Sequence, residues 1–114
     1  MRSAARAVAV IDRQSRTVLT KIAVERNPIQ VHATPDGRFV YVANQGSDDN
    51  PDNRVSVIEV ASNSVVKTLT VGAGAHGVAI SPDGRFAYVT NIREDSVSVI
   101  DTAKQSVVKT IPVG

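Results

Sequence analysis

The fold is decided by the stretch HGVAISPDGRFAYVTN, which runs from His76 to Asn91. Two short apolar runs flank Ser-Pro-Asp-Gly, where Pro82 suits the second position of a type I turn and Gly84 tolerates a left-handed conformation. The stretch therefore predicts a strand, a tight turn and a second strand. A related stretch, VHATPDGRFVYVAN, begins at Val31, so this hairpin is repeated along the chain.

A second pattern, Val-x-Val-Ile followed by an acidic residue, ends at Asp12, Glu59 and Asp101. Its last two copies are 42 residues apart and its first two are 47 apart, because residues 45–54 contain a five-residue insertion. Each period contains four strand signals and no helical periodicity. The predicted strands are residues 7–11, 17–22, 31–34, 38–43, 54–60, 65–70, 78–81, 86–90, 96–101 and 107–112.

Both faces of each predicted sheet are apolar, since Phe86 and Tyr88 alternate with Ala87 and Val89. Four-stranded units of about 40–45 residues with two covered faces are typical of β-propeller blades. Lysines in the fourth strands, such as Lys67 and Lys109, are typical of outer edge strands. The sequence thus predicts an all-β chain that forms an incomplete propeller ring, with its first strands at the axis. The predicted units are a half-blade at 7–22 and blades at 31–70 and 78–112.

The motifs resemble those of the YVTN-repeat β-propeller family. AYVTN ends at Asn91, and SPDGR and VSVIDT, at residues 81–85 and 97–102, are typical of the same family. The first copy departs from the pattern, because it reads YVAN at 41–44 and carries His32 where the second has Ala79. The resemblance implies an exported protein that is periplasmic, secreted or at the cell surface. It also implies a likeness to the propellers of haem d1 and quinone enzymes.

Composition excludes several classes of function. A net charge of +2, from 13 basic and 11 acidic residues, is too even to predict nucleic acid as a partner. No apolar segment is long enough to span a bilayer, and the first apolar run is too short for a signal peptide. The chain has no cysteine, which excludes disulfides, thiolate metal sites and cysteine nucleophiles.

The two histidines are the most reactive candidates. His76 stands where the chain enters a first strand, and it either lines a central channel as a ligand-binding group or is a repeat residue. His32 lies within a first strand, where the alternative is a metal ligand that faces the axis and where we expect it to be packed and hydrogen-bonded. The acidic residues that end the third strands are expected to accept backbone N–H groups in the following turns. No catalytic triad or phosphate-binding loop is visible.

Binding is expected at the end where the chain passes from fourth to first strands and from second to third strands, because binding residues often lie on such loops. The predicted binding residues are Gln45, Asp48, Asp49, Asp52, Arg54, His76 and Arg93. Asp48, Asn50 and Asp52 also have the spacing of early calcium ligands. Flanking helices are not predicted, however, and Glu59 stands far along a strand. We therefore predict a solvated acidic loop that favours cationic partners, with no metal.

These observations predict a non-catalytic binding or scaffold module without a cofactor, and not an enzyme. Its expected partners are further blades or copies of itself, and a protein or small-molecule ligand. The alternative is part of a propeller enzyme of haem d1, quinone or lactonase type, with the active site on other blades. A third class, a structural surface-layer repeat, cannot be separated from the first by sequence.

Overall fold

The structure, a computed structural model, describes residues 7–11, 18–23, 28–46 and 51–113. It confirms the all-β prediction, since all ten expected strands are present. No part of the described chain forms a helix that could cross a membrane. The strands are β1 (Ala7–Ile11), β2 (Val18–Ala23), β3 (Pro28–Ala33), β4 (Phe39–Gly46), β5 (Pro51–Glu59), β6 (Ser64–Thr70), β7 (Ala75–Ile80), β8 (Phe86–Asn91), β9 (Ser96–Asp101) and β10 (Ser106–Pro112).

The strands form three antiparallel sheets in which sequence neighbours pair. β1 and β2 form a two-stranded sheet, β3 to β6 form the first sheet, and β7 to β10 form the second sheet. β7 lies against β3 and β4, whereas the outer strands β6 and β10 barely touch. The two four-stranded sheets therefore spread apart from their first strands, which lie at the axis. Lys67 and Lys109 are exposed on the outer strands, as predicted.

The main core lies between the first and second sheets. Tyr41, Val57 and Leu69 come from the first sheet, and Val89 and Ile100 come from the second. All five side chains are buried, and most are apolar strand residues that alternate with residues on the other face. A smaller cluster, centred on Val42 and Ile58, lies on the opposite face of the first sheet. Both faces of the first sheet thus bury apolar side chains.

The insertion lengthens a hairpin and does not form only a loop. β4 continues to Gly46 and β5 begins at Pro51, and these two residues pair. The predicted strand bounds, 38–43 and 54–60, were therefore too short at this hairpin. Proline is tolerated as the first residue of a strand because its missing N–H removes no interior ladder bond. Asp48 and Asp49 lie outside the described residues.

The two Pro-Asp-Gly turns have the predicted geometry. Gly84 has φ 75°, and its N–H donates to the Ser81 carbonyl at 2.8 Å. Asp83 Oδ1 accepts hydrogen bonds from Ser81 Oγ at 2.6 Å and from the Arg85 N–H at 3.0 Å. The turn at Asp36 repeats these bonds with Thr34 and Arg38, at 2.6 and 3.0 Å. Donors to the ionised carboxylate lower the pKa of both aspartates, and the side-chain hydroxyl has the larger effect.

The acidic residues at the ends of the third strands differ in their contacts. Asp101 Oδ1 accepts from the N–H groups of Ala103 and Lys104, at 2.9 and 3.1 Å, as predicted. Glu59 accepts from the Ser62 hydroxyl at 2.8 Å, so here the expected backbone donors are replaced by a side chain. The longer glutamate reaches past the turn amides to that hydroxyl. Asp12 lies outside the described residues.

Candidate functional site

The candidate site lies at the loop end, which we define as residues 71–77, covering the β6–β7 connection and the first residues of β7, together with the β8–β9 turn at 91–95. The Ile92 N–H donates to the Gly74 carbonyl, and the Arg93 N–H donates to the Ala73 carbonyl, both at 3.1 Å. The chain entering the innermost strand is thus tied to the neighbouring turn. The loop end is held by backbone hydrogen bonds, which suits a site that needs fixed side-chain positions.

Asn91, the last residue of the YVTN motif, anchors this turn from inside. It is buried, and its Nδ2 donates to Ser96 Oγ at 3.1 Å and to Ser98 Oγ at 2.9 Å. Asn44 has the same position in the first sheet and donates to Ser56 Oγ at 3.1 Å. Because both amides are buried and hydrogen-bonded to their own sheets, we assign them a structural role.

The side chain of Arg93 lies against Gly74 at the loop end. Gly74 has φ +71°, and a Cβ at this position would lie 2.5 Å from Arg93 Cγ. Any side chain here would be strained by the backbone and would displace the arginine stem. Gly74 therefore lets the exposed Arg93 lie close to the backbone two residues before His76.

His76 is the extra residue of a β-bulge. Ala75 pairs with Asn91 and Gly77 pairs with Thr90, so His76 has no partner on β8. Bulges turn a side chain away from the regular alternation and occur frequently beside active sites. His76 is half-buried, and no residue in the described chain forms a hydrogen bond or ion pair with its imidazole. The first sheet has the same bulge, with Ile29 as the extra residue.

His32 differs from its prediction in one respect. It is hydrogen-bonded as expected, because its Nδ1 accepts from the Ile80 N–H of β7 at 2.9 Å. It is exposed, however, and the expectation of a packed side chain is wrong. β3 is the first strand of its sheet, and among the described strands only β4 pairs with it through backbone hydrogen bonds.

The predicted binding residues are only partly brought together. Arg93 and His76 share the loop end, and Arg54 is half-buried in β5 opposite Asn44. Gln45 and Asp52 belong to the extended β4–β5 hairpin. Asp48 and Asp49 fall outside the described residues, so the acidic loop stays a prediction. In the described chain, no three acidic or histidine side chains are grouped as metal ligands.

Sequence reasoning missed a cavity at the end of the sheets that bears the Pro-Asp-Gly turns, opposite the loop end. A space of about 560 Å³ lies between the two Pro-Asp-Gly turns and the β9–β10 turn. Arg38 and Phe39 line it, and the Arg38 guanidinium lies 5.4 Å from the centre of the Phe39 ring. Asp36 and Asp83, which also line it, are already engaged by their turns. No local motif marks this cavity, because it forms where two sheets meet.

The comparisons with known proteins agree on the fold. The hydrazine synthase of Kuenenia stuttgartiensis is 32% identical with a TM-score of 0.83, over 92% of this chain and 29% of that chain. The dihydro-haem d1 dehydrogenase NirN, solved in complex with DHE, is 24% identical with a TM-score of 0.83, over 98% of this chain and 23% of that chain. The chain thus spans less than a third of either structure. No curated protein matches it.

These neighbours are propeller proteins, so the predicted partial β-propeller is confirmed. The finer resemblance to YVTN-repeat proteins is not confirmed. The findings favour the haem d1-type alternative over the scaffold module that the sequence first predicted. The family model of the cytochrome d1 haem domain matches residues 1–114. Because this match spans the entire chain, the chain belongs to the cytochrome d1 haem domain family.

Proposed function

We propose that this chain forms part of a haem d1-type propeller and that His76 is an iron ligand at the loop end. The observation that carries the proposal is the position of His76 as the extra residue of a bulge in the innermost strand. The family match over the whole chain supports the choice of ligand. Imidazole is a common axial ligand of haem iron, and the His76 ring has no competing partner in the described chain.

The residues around His76 fit an anionic tetrapyrrole. Arg93 is exposed and lies against Gly74, two residues before His76, and Arg54 is half-buried near the same end of the first sheet. Guanidinium groups form strong, directional bonds with carboxylates, which line the edge of a haem. When bound, the haem supplies one-electron chemistry, and the protein binds and orients it. Gly74 supports this arrangement because it lets Arg93 lie close to the strand that bears His76.

We also propose that this segment supplies one side of the site and is not an enzyme by itself. Its partners would be the further blades of the ring, since it spans 29% and 23% of the matched structures. A periplasmic location fits the family and the exported character that the motifs imply. Cell fractionation with an antibody against the full-length protein tests the location.

The test of the ligand uses His76→Ile in the full-length protein that contains this chain. Isoleucine is the residue at the matching bulge of the first sheet, so the change should leave the fold intact. We expect the variant to bind haem d1 at least about tenfold more weakly and to lose the absorption bands of imidazole-ligated iron. Ala79→Ser, at an exposed position of the same strand, is the control. Unchanged spectra and affinity in His76→Ile would refute the proposal.

A further inference from the structure

The first strands of the two sheets are joined by side chains. Gln30 Oε1 accepts from the Val78 N–H at 3.2 Å, and His32 Nδ1 accepts from the Ile80 N–H at 2.9 Å. Gln30 and His32 are two residues apart on β3, and their donors are two residues apart on β7. Side chains of β3 thus satisfy the edge of β7, in place of the backbone carbonyls of a neighbouring strand.

This contact determines where the proton of His32 lies. A neutral imidazole has one donor nitrogen and one acceptor nitrogen. Since Nδ1 accepts the Ile80 N–H, the proton is on Nε2. A histidine that binds iron through Nε2 has the opposite arrangement, because its Nδ1–H donates to a second group. His32 is therefore a hydrogen-bond donor at Nε2 and does not present a lone pair there.

The Nε2–H group has no acceptor in the described chain. His32 is exposed on the axial strand, and its only hydrogen bond to a described residue is the one to Ile80. That bond holds the ring in one orientation, so a ligand would lose little entropy in fixing it. The equivalent residue of the second sheet is Ala79, which cannot donate from its side chain. The donor is thus present on β3 and absent from β7.

We propose that His32 binds a carboxylate of the tetrapyrrole through its Nε2–H group, a role that rests on the proposed haem d1 function. A carboxylate accepts hydrogen bonds without donating any, so it matches a fixed donor. Iron binding and carboxylate binding are then divided between two histidines on adjacent first strands. His76 supplies a lone pair at the loop end, and His32 supplies a proton donor further along the axis.

The test separates the two nitrogens of His32. In His32→Asn, the amide oxygen can replace Nδ1 as the acceptor for the Ile80 N–H, but the shorter amide places no donor at the position of the Nε2–H. The full-length protein is titrated with iron mesoporphyrin and with its dimethyl ester, which lacks ionised carboxylates. We expect the wild-type protein to bind the free acid about tenfold more tightly than the ester. His32→Asn should lose most of this preference while its affinity for the ester stays unchanged.

Gln30→Ala is the matched control, because it removes the other inter-sheet acceptor and leaves the Nε2–H in place. It should keep the preference for the free acid even if the protein becomes less stable. An unchanged preference in His32→Asn would refute the role of His32, whereas the haem proposal would stand if His76→Ile still weakened both ligands. Binding of neither ligand to the wild-type protein would refute both proposals.

A second measurement needs no ligand. The ¹⁵N chemical shifts of the His32 ring distinguish a protonated Nε2 from a protonated Nδ1 in the neutral imidazole. We expect a protonated Nε2 and a hydrogen-bonded Nδ1 in the neutral ring. A protonated Nδ1 would refute the inference, because the ring would then present a lone pair at Nε2.

Discussion

The two four-stranded sheets place nearly the same residues in different surroundings. Tyr41 of the first sheet is 0% exposed, whereas Tyr88, its equivalent in the second, is 39% exposed. Leu69 is 6% exposed, and its equivalent Ile111 is 39% exposed. The second sheet covers Tyr41 and Leu69, and no described strand covers the matching face of the second sheet. Burial in this fold therefore depends on the neighbouring sheet more than on the residues of the strand itself.

On the other face of each sheet, the residue of the second sheet is buried and its equivalent in the first sheet is exposed. Val78 of the second sheet is 8% exposed because the first sheet covers it, whereas its equivalent Val31 is 55% exposed. The interface thus joins one face of the first sheet to one face of the second, and apolar side chains are buried where the two faces meet. The faces that bear Tyr88 and Val31 also carry exposed apolar side chains, and this exposure fits further blades as their partners.

The largest expected effect tests the buried and exposed tyrosines in the 114-residue chain. Tyr41→Ala removes a ring from the core and should lower the free energy of unfolding by about 3–5 kcal/mol. Tyr88→Ala removes a partly exposed ring and should cost about 1 kcal/mol or less. Urea unfolding measures both. Equal losses would mean that Tyr88 is covered as well, for instance by a second copy of the chain.

A second pair of variants sharpens the comparison by choosing a position that is buried in both sheets. Asn44→Ala and Asn91→Ala each remove an amide that donates to serine hydroxyls inside its own sheet. Both should lower the free energy of unfolding by similar amounts, about 1–3 kcal/mol. Urea unfolding measures the free energy of unfolding of both variants. A large loss for Asn44 alone would show that the covering sheet matters here too.

A smaller effect concerns alkaline pH. Burial, with a contribution from the Asp101 charge, raises the pKa of Tyr41 to about 12. The unfolded chain releases this proton near pH 10, so the stabilisation is complete below that pH and is lost as the pH rises to about 12. Urea unfolding between pH 8 and 12 should show this loss. In Tyr41→Phe, the free energy of unfolding should no longer show this loss at alkaline pH. In Tyr88→Phe, the loss should remain.

The Tyr41 hydroxyl also makes no hydrogen bond in the described chain, although it is buried. Removing an unpaired buried hydroxyl should leave stability at neutral pH unchanged or slightly higher. A clear loss of stability in Tyr41→Phe at pH 7 would reveal an acceptor or a buried water beside the hydroxyl.

The smallest effect is expected at the two turns, which are alike in both sheets. The pKa of Asp36 and of Asp83 is lowered below 3.8 by hydrogen bonds to the ionised carboxylate. Their stabilisation is present above pH 3.8 and is lost as the pH falls through the lowered values. NMR titration should place both carboxyl groups below 3.8. Asp36→Asn and Asp83→Asn should reduce acid sensitivity equally, and unequal effects would show that the turns are not equivalent.

The sequence predicted the strands well because the relevant signals are local. Alternating apolar residues and Pro-Asp-Gly turns depend on a few adjacent residues, as at Pro82 and Gly84. It failed at the insertion, where the departure from the repeat suggested a loop. The structure continues the strands to Gly46 and from Pro51. Strands can pair through their backbones without a repeat motif, so the sequence of the insertion carries no pattern that predicts the longer hairpin.

The candidate site was less predictable because its contacts are not local. The bond between His32 and Ile80 joins residues 48 apart and depends on how two sheets pack. The bulge at His76 depends on a one-residue change in register, which composition does not reveal. His76 and Arg93 were both predicted as binding residues, and their role in binding stays a prediction. The tautomer of His32, in contrast, required atomic positions.

The extended β4–β5 hairpin makes the loop ends of the two four-stranded sheets unequal in height. β4 continues two residues beyond Asn44, whereas β8 ends at the equivalent Asn91, a difference of about 7 Å at 3.3 Å per residue. A molecule that approaches from the loop end therefore meets a taller wall on the first sheet than on the second. The repeat symmetry of the two four-stranded sheets is broken at this end. The insertion thus distinguishes the first sheet from the second by the height of its loop end.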